Sequence, residues 1–276
     1  MSPENPIAVF DSGVGGLSVL REIRQLLPHE DLLYVADSAH VPYGEKSREF
    51  IESRAIAITE FFIHQQAKAV VVACNTATSA AVETLRARFN LPIIAMEPAI
   101  KPAAQQTRSN VVGVLATSGT LSGERFANLS VRHGNGIKIV VQPCPGWVEL
   151  VESGNISNDA AQALVSRYVT PLLEKGADTL VLGCTHYPFL RDLIQTIANT
   201  NASTNAATDV TIIDPSPAVA RELQRRLQHH HLLNPHDEIA GRETFWTSGA
   251  PAQVAKIVSQ LWGKKITVKR LPADDL

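Results

Sequence analysis

Short apolar runs alternate with amphipathic stretches along most of the chain. The segments LSVLREIRQLL, SREFIESRAIAITEFFIHQQ and PAVARELQRRLQ have the spacing of helices that bury one face. The apolar runs are mostly continuous rather than alternating, which is typical of strands covered on both faces. They are IAVF (7–10), LLYVA (32–36), AVVVA (69–73), PIIAM (92–96), VVGVL (111–115), IKIVV (137–141), TLVLG (179–183) and VTIID (210–214). The pattern predicts the α/β class with mainly parallel sheets flanked by helices.

Two regions depart from this alternation. Asn199 to Asp209, NTNASTNAATD, is polar and of low complexity, and it predicts an exposed loop. The segment after residue 215 continues with ETFWTSG, PAQVAKIVSQLW and ITVKRL, which predict a strand, a helix and a strand.

An internal repeat organises the predicted elements. IAVFDSGVGGLS (7–18) aligns with VGVLATSGTLSG (112–123), VVVACNTATSA (70–80) with TLVLGCTHYPF (179–189), and PIIAMEPA (92–99) with TIIDPSPA (211–218). The separation from Asp11 to Cys74 is 63 residues, and that from Thr117 to Cys184 is 67. Three matches in one order predict two pseudo-symmetric α/β lobes, each a mainly parallel sheet flanked by helices, with the active site in the cleft between them.

Composition and charge exclude several classes of protein. The 276 residues are 45% hydrophobic and 19% charged with a net charge of -2, as in ordinary globular proteins, and nothing in this balance favours nucleic acid or an anionic membrane. The opening MSPENPIAVFD lacks a basic flank before an apolar run, so we expect no signal peptide. Only three cysteines occur, which indicates thiols in a reducing, cytoplasmic compartment.

Cysteines end two equivalent segments of the repeat. Cys74 follows VVVA and Cys184 follows VLG, each at the turn into a predicted helix. Ligands bind at the carboxyl ends of strands in open α/β sheets, and the N–H groups of a following helix stabilise a thiolate. Both cysteines are therefore predicted to be reactive rather than small buried hydrophobes. Cys144, in QPCPG, has no counterpart in the repeat, and we interpret it as structural.

The glycine-rich turn after the first run does not meet the requirements of a nucleotide site. Read from Gly13, the sixth position of G-x-G-x-x-G is Ser18, and Asp11 would place a carboxylate beside a bound pyrophosphate. A zinc site built from the two cysteines and His186 lacks paired ligand spacing, so no metal is predicted.

A pair of reactive thiols suits inversion at a carbon that carries a hydrogen. One group must take the proton from one face and another must deliver a proton to the opposite face. A thiol and a thiolate can do both near neutral pH. Asp11 and His186 are candidates to set the protonation states of the cysteines. The sequence therefore predicts a two-base proton transfer that needs no cofactor.

Taken together, the motifs resemble those of the bacterial glutamate racemases, a cofactor-independent branch of the aspartate/glutamate racemase family. The resemblance extends over nearly the whole chain. It is most specific in the blocks DSGVGG, PYGEKS, ACNTAT and GCTHYP, and no motif position departs from the pattern. It implies interconversion of L- and D-glutamate and a supply of D-glutamate for peptidoglycan, and hence a role in cell wall biogenesis and cell shape.

The resemblance also implies roles for individual residues. Cys74 and Cys184 are the implied catalytic pair, with Cys74 taking the proton from D-glutamate and Cys184 taking it from L-glutamate. Their implied polar partners are Asp11, Asp37, Glu152 and His186. Implied substrate-binding residues are Asp11, Ser12, Pro42, Tyr43, Gly44, Asn75, Thr76, Thr117, Thr120, Thr185 and His186. Without the resemblance, the sequence around Glu152 would predict only a solvated helix face.

The resemblance further implies that the C-terminal segment returns to the first lobe. The expected domains are therefore residues 1–98 with 215–276, and residues 99–214. We expect glutamate as the small-molecule partner, no cofactor, no nucleic acid, no membrane, and a homodimer.

Two alternative functions are also compatible with the sequence. The chain could racemise another amino acid such as aspartate, because side-chain length cannot be derived from the motifs. It could also be a catalytically silent, two-lobed ligand-binding protein, although the presence of both cysteines and their partners argues against this. A racemisation assay on each L-amino acid separates these alternatives.

Overall fold

Parallel strands and helices alternate throughout the chain. The computed structural model describes residues 1–134, 136–202, 209–236 and 238–272. The strands are β1 Ile7–Asp11, β2 Leu32–Ala36, β3 Ala69–Val72, β4 Ile93–Ala95, β5 Val111–Ala116, β6 Lys138–Pro143, β7 Thr179–Gly183, β8 Thr211–Ile213, β9 Glu243–Thr247 and β10 Val268–Arg270. The α-helices are α1 Leu17–Leu26, α2 Arg48–His64, α3 Asn75–Arg88, α4 Ile100–Gln106, α5 Ser118–Leu121, α6 Glu124–His133, α7 Trp147–Glu152, α8 Asp159–Glu174, α9 Arg191–Ala202, α10 Ser216–His229 and α11 Pro251–Trp262.

The chain divides into two compact units. The first unit combines Met1–Met96 with Ser216–Leu276, and the second is Glu97–Pro215. The first unit holds a six-stranded sheet in the order β10-β9-β2-β1-β3-β4, and the second holds a four-stranded sheet in the order β6-β5-β7-β8. Every strand pair described in both sheets is parallel. The predicted fold class, with mainly parallel sheets flanked by helices, is confirmed.

The internal repeat corresponds to one strand order used twice. The order β2-β1-β3-β4 in the first unit matches β6-β5-β7-β8 in the second. In each sheet the second strand of the repeat pairs with one side of the first strand, and the third strand pairs with the other side of the first strand. The gap where this direction reverses, between β1 and β3 and again between β5 and β7, is the topological switch point at which open α/β sheets bind ligands.

Apolar side chains from strands and helices form a core in each unit. In the first unit, Phe10 and Val72 of neighbouring strands pack with Phe62 of α2. In the second unit, Val114 of β5 and Val181 of β7 belong to a similar cluster of buried apolar residues. All five residues of β1 are buried because helices cover both faces of this strand, which explains its continuous apolar run.

Most predicted elements are found within two residues of their predicted ends, including the strand, helix and strand of the C-terminal segment. The predicted loop from Asn199 to Asp209 is wrong for residues 199–202, which continue α9, while 203–208 lie outside the described residues. The expectation of two covered faces is also wrong for β6, because it is an edge strand whose residues are partly or largely exposed.

None of the described helices has both the length and the apolar character that crossing a membrane requires.

Candidate active site

Asp11 ends β1, and its carboxylate binds the glycine-rich turn that follows. Its Oδ2 accepts hydrogen bonds from the backbone N–H of Gly16 at 2.9 Å and of Gly13 at 3.3 Å. Glycine is required at position 16, because a Cβ there would lie 2.7 Å from the Asp11 Cβ and 2.9 Å from the Tyr34 hydroxyl. The carboxylate thus uses N–H groups of the kind that bind phosphate in a nucleotide site.

Cys74 is the N-cap residue of α3. Its Sγ accepts a hydrogen bond from the Ala77 N–H at 3.4 Å, as a serine or threonine oxygen does at other helix starts. The thiol also lies 3.8 Å from Ser12 Oγ, and Cys74 is only 5% exposed. Because the positive end of α3 favours an anion, this position suits a thiolate.

Asn75 carries a buried amide group without a partner. The residue is 4% exposed, and neither its Oδ1 nor its Nδ2 has a hydrogen bond within the described residues. An amide taken out of water without a partner costs about 1–3 kcal/mol. An unpartnered amide in this position is a candidate to bind a polar ligand beside Cys74. Thr76, the next predicted substrate-binding residue, is also buried.

Asp37, just after β2, is the centre of a buried polar network. Arg54 donates to its two oxygens at 3.0 and 2.8 Å, the Tyr43 hydroxyl donates at 2.5 Å, and His40 Nδ1 lies 3.0 Å away. Burial alone would raise the pKa of Asp37, but hydrogen bonds from Arg54, Ser248 and Tyr43 outweigh it and hold the pKa below its usual value. None of these described contacts joins Asp37 to a cysteine. The Tyr43 hydroxyl is its hydrogen-bond partner among the predicted substrate-binding residues.

Tyr43 begins the short 3₁₀ turn Tyr43–Glu45, which follows Pro42 and contains Gly44. Burial, together with the charge of Asp37, raises the pKa of the Tyr43 phenol well above its usual value, and the nearby Cys74 adds to the rise. Tyr43 therefore stays a neutral donor to Asp37.

Arg54 is a site-associated residue that the sequence patterns did not identify, as are His40 and Ser248. Arg54 lies on the buried face of α2, near Ile51, Ala55 and Ile58 along the helix. A lone arginine on an otherwise apolar helix face is the signal that could have identified it, because a buried charge needs a partner.

In the second unit, Cys184 is part of a chain of three side chains. Its Sγ lies 3.7 Å from His186 Nδ1, and His186 Nε2 lies 2.7 Å from Glu152 Oε1 at the end of α7. Cys184, Thr185 and His186 are all buried. A carboxylate beside Nε2 favours a proton on that nitrogen, which leaves Nδ1 as an acceptor toward the thiol. Glu152 is thus a partner of His186, and not only part of a solvated face.

Thr117 and Cys184 leave adjacent strands at the same edge of the second sheet. Ala116 of β5 lies opposite Gly183 of β7 in the register, and each is followed by one of these residues. Thr117 caps α5 by accepting from the Thr120 N–H at 3.2 Å, and the two threonine hydroxyls lie 3.0 Å apart. The predicted binding residues of this unit are therefore clustered at its switch point.

Cys144 is buried near Cys184 but has a different environment. Its thiol donates to the Gln142 carbonyl oxygen at 3.3 Å. Burial raises the pKa of Cys144 far above its usual value, and the charge of Cys184 adds to the rise. This thiol stays protonated near neutral pH, as a structural cysteine does. No cluster of three or more His, Cys, Asp and Glu side chains that could hold a metal ion occurs among the described residues.

Comparisons with known proteins identify similar chains over nearly the full length. A family profile described as Asp/Glu/hydantoin racemase matches residues 7–223. The glutamate racemase of Methylococcus capsulatus is 53% identical over 271 residues, which are 98% of this chain and 96% of that protein. The structure of Escherichia coli glutamate racemase in complex with L-glutamate and activator UDP-MurNAc-ala has a TM-score of 0.82 at 33% identity, covering 97% of this chain and 98% of that one. Glutamate racemase from Francisella tularensis in complex with D-glutamate has a TM-score of 0.82 at 28% identity, covering 99% of this chain and 100% of that one.

Replacing Arg54 tests the buried network around Asp37. Arg54→Met should lower the free energy of unfolding by about 3 kcal/mol at neutral pH, because a buried carboxylate loses its partner. The folded pKa of Asp37 is lowered, so this contribution is complete above the unfolded carboxyl pKa of about 3.9 and is lost as pH falls through the folded pKa. Urea denaturation at several pH values measures the difference in the free energy of unfolding between wild type and Arg54→Met. This difference should become smaller in acid.

Arg48→Met, an exposed change on the same helix, is the matched control and should alter stability by less than about 0.5 kcal/mol. Adding Asp37→Asn to Arg54→Met should recover part of the loss. Equal losses for the two arginine variants would contradict the importance of the buried pair.

Proposed function

The chain belongs to the Asp/Glu/hydantoin racemase family, and on this basis we propose that it interconverts L- and D-glutamate by proton transfer through Cys74 and Cys184. The observation that most directly supports this proposal is that both cysteines follow equivalent strands of the repeat, each at the switch point of its own sheet. Each also has a polar neighbour suited to its thiol, Ser12 in one unit and His186 in the other.

The proposed reaction moves one proton off the α-carbon and another proton onto it. With L-glutamate, the Cys184 thiolate takes the α-proton, and the Cys74 thiol delivers its own proton to the opposite face. Cys184 is then a thiol and Cys74 a thiolate, which is the starting state for D-glutamate. His186, held by Glu152, accepts the proton that Cys184 releases when its starting thiolate forms. No step requires a cofactor, since the two thiols supply both transfers.

Substrate binding is proposed to use turn N–H groups and small polar side chains. Glutamate carries one ammonium and two carboxylates. The start of α3 favours a carboxylate electrostatically, and the unpartnered amide of Asn75 lies at that helix start. The other proposed contacts are Asp11, Ser12, Pro42, Tyr43, Gly44, Thr76, Thr117, Thr120, Thr185 and His186. Relatives solved with L-glutamate or D-glutamate support glutamate as the substrate.

The proposed physiological role is to supply D-glutamate for peptidoglycan in the cytoplasm. We also propose a homodimer. Val141 of the edge strand β6 is 45% exposed, and the outer edge of this strand supports a further contact surface in the second unit. Light scattering on the purified chain measures the mass directly.

An optical assay tests the activity. The purified protein should bring either enantiomer of glutamate to a racemic mixture, followed by circular dichroism, and it should act far more slowly on aspartate. Treatment with a chelator or with a carbonyl reagent against pyridoxal should leave the rate unchanged. Loss of activity under either treatment would contradict the cofactor-free mechanism.

Isotope incorporation tests the two-base mechanism. In heavy water, deuterium should enter the product much faster than the recovered substrate, because the returning proton comes from the opposite thiol. Cys74→Ser and Cys184→Ser should each lower racemisation by about a thousandfold, since a serine hydroxyl is a poor acid and base near neutral pH. Any residual exchange should favour opposite enantiomers in the two variants. A Cys184→Ser enzyme with a near wild-type rate would contradict the mechanism.

Asn75→Ala tests substrate binding at the unpartnered amide. We expect KM for glutamate to rise about tenfold, because a hydrogen bond to the substrate is lost. Stability without substrate should stay the same or increase, since a buried polar group without a partner is removed. Kinetic assays and thermal denaturation measure the two effects.

Thr78→Val is the matched control on the same helix. Thr78 is buried, and its hydroxyl oxygen accepts from the Met96 N–H at 3.3 Å. This variant should lose stability and keep its KM. An Asn75→Ala protein that loses stability and keeps its KM would assign Asn75 a structural role.

A further inference from the structure

Trp147 and Tyr187 join the two segments that carry Glu152 and His186. Trp147 is the first residue of α7 and Glu152 is its last, while Tyr187 directly follows His186. The two rings meet edge to face, with centroids 4.7 Å apart and planes at 72°. Both side chains are fully buried. The contact therefore connects the start of α7 to the turn that follows Cys184.

The backbone carbonyl of Cys144 strengthens this joint. It accepts from the Trp147 N–H at 3.3 Å and from the Tyr187 hydroxyl at 3.5 Å. The Cys144 N–H in turn donates to the carbonyl oxygen of Ala116 at the end of β5. Both segments are thus hydrogen-bonded to the carbonyl group of Cys144, and the N–H of the same residue is hydrogen-bonded to β5.

The short length of α7 makes the position of Glu152 sensitive to this joint. The helix has six residues, so Glu152 lies only about 7.5 Å along the axis from Trp147. A helix this short has little stability of its own and depends on tertiary packing. A shift of the first turn therefore moves the Glu152 carboxylate relative to His186.

We propose that Trp147, packed against Tyr187, is a positioning residue for Cys184. It holds α7 so that Glu152 stays on Nε2 of His186 and Nδ1 stays directed to the thiol. This role rests on the proposed function, in which Cys184 exchanges a proton through His186.

Alkylation by iodoacetamide at neutral pH measures the state of the Cys184 thiol without racemisation. Mass spectrometry of the cysteine-containing peptides follows Cys184, and Cys74 in the other unit serves as the internal reference. Trp147→Leu should slow alkylation of Cys184 relative to Cys74 by about tenfold, because the imidazole is no longer held as a proton acceptor. Trp147→Phe keeps an aromatic ring and should stay within about twofold of wild type. An unchanged or faster rate in Trp147→Leu overturns the proposal.

A double-mutant cycle separates positioning from general loosening. Glu152→Gln alone should also slow Cys184 alkylation by about tenfold, and Trp147→Leu combined with Glu152→Gln should be little slower than either single variant. Additive effects, about a hundredfold in the double variant, would show that Trp147 does not act through Glu152 and would overturn the proposal. If Trp147→Leu does not fold, Tyr187→Leu takes its place in the cycle with the same expectation.

Tyr168→Leu is the matched control. Tyr168 of α8 also contacts Trp147 edge to face, with centroids 6.2 Å apart, but it does not belong to the turn after His186. The Tyr168→Leu variant should have a lower melting temperature and an unchanged rate of Cys184 alkylation. If it slows Cys184 alkylation as much as Trp147→Leu does, the proposal is overturned. Racemisation is measured on the same preparations. A wild-type protein that does not racemise glutamate would contradict the proposed function, and the alkylation cycle would still decide the role of Trp147.

Discussion

The reversal of direction at the first strand of each repeat is the constraint on which the site depends. Because β2 lies on one side of β1 and β3 on the other, the turns after β1 and β3 diverge and leave space between them. Asp11, Ser12 and Cys74 are the residues that leave these strands. In the second unit the same order brings Thr117 and Cys184 together. The chemistry at each sheet edge is therefore a consequence of the order in which the strands are added.

The two units share a backbone plan but differ in their electrostatics. Cys74 sits at the start of a fourteen-residue helix and has a hydroxyl neighbour, so its thiolate is favoured mainly by backbone dipoles. Cys184 instead has an imidazole neighbour with a carboxylate behind it. Repetition of the fold thus produced two thiol sites with different surroundings, which suits the proposed reaction, in which each enantiomer gives its proton to a different thiol.

Local patterns in the sequence were sufficient to predict the strands, the repeat and the position of both cysteines. Apolar runs define buried strands, and both cysteines follow the ends of such runs. The partners of Asp37 and His186 could not be derived in this way, because Arg54 reaches Asp37 from helix α2, 17 positions further along the chain, and Glu152 reaches His186 across 34 positions of sequence. Residues 199–202 were predicted as a loop from their polar composition, yet they extend α9, since an exposed helix end tolerates polar residues.

The role of Cys74 as a helix cap has an evolutionary consequence. A serine in the same place could accept the same N–H bond, so the fold itself imposes little requirement for sulfur at this position. A single nucleotide change from cysteine to serine could therefore abolish the proposed proton transfer in a lineage whose proteins still fold well. Under the proposed mechanism, selection on catalysis, and not on folding, preserves the thiol.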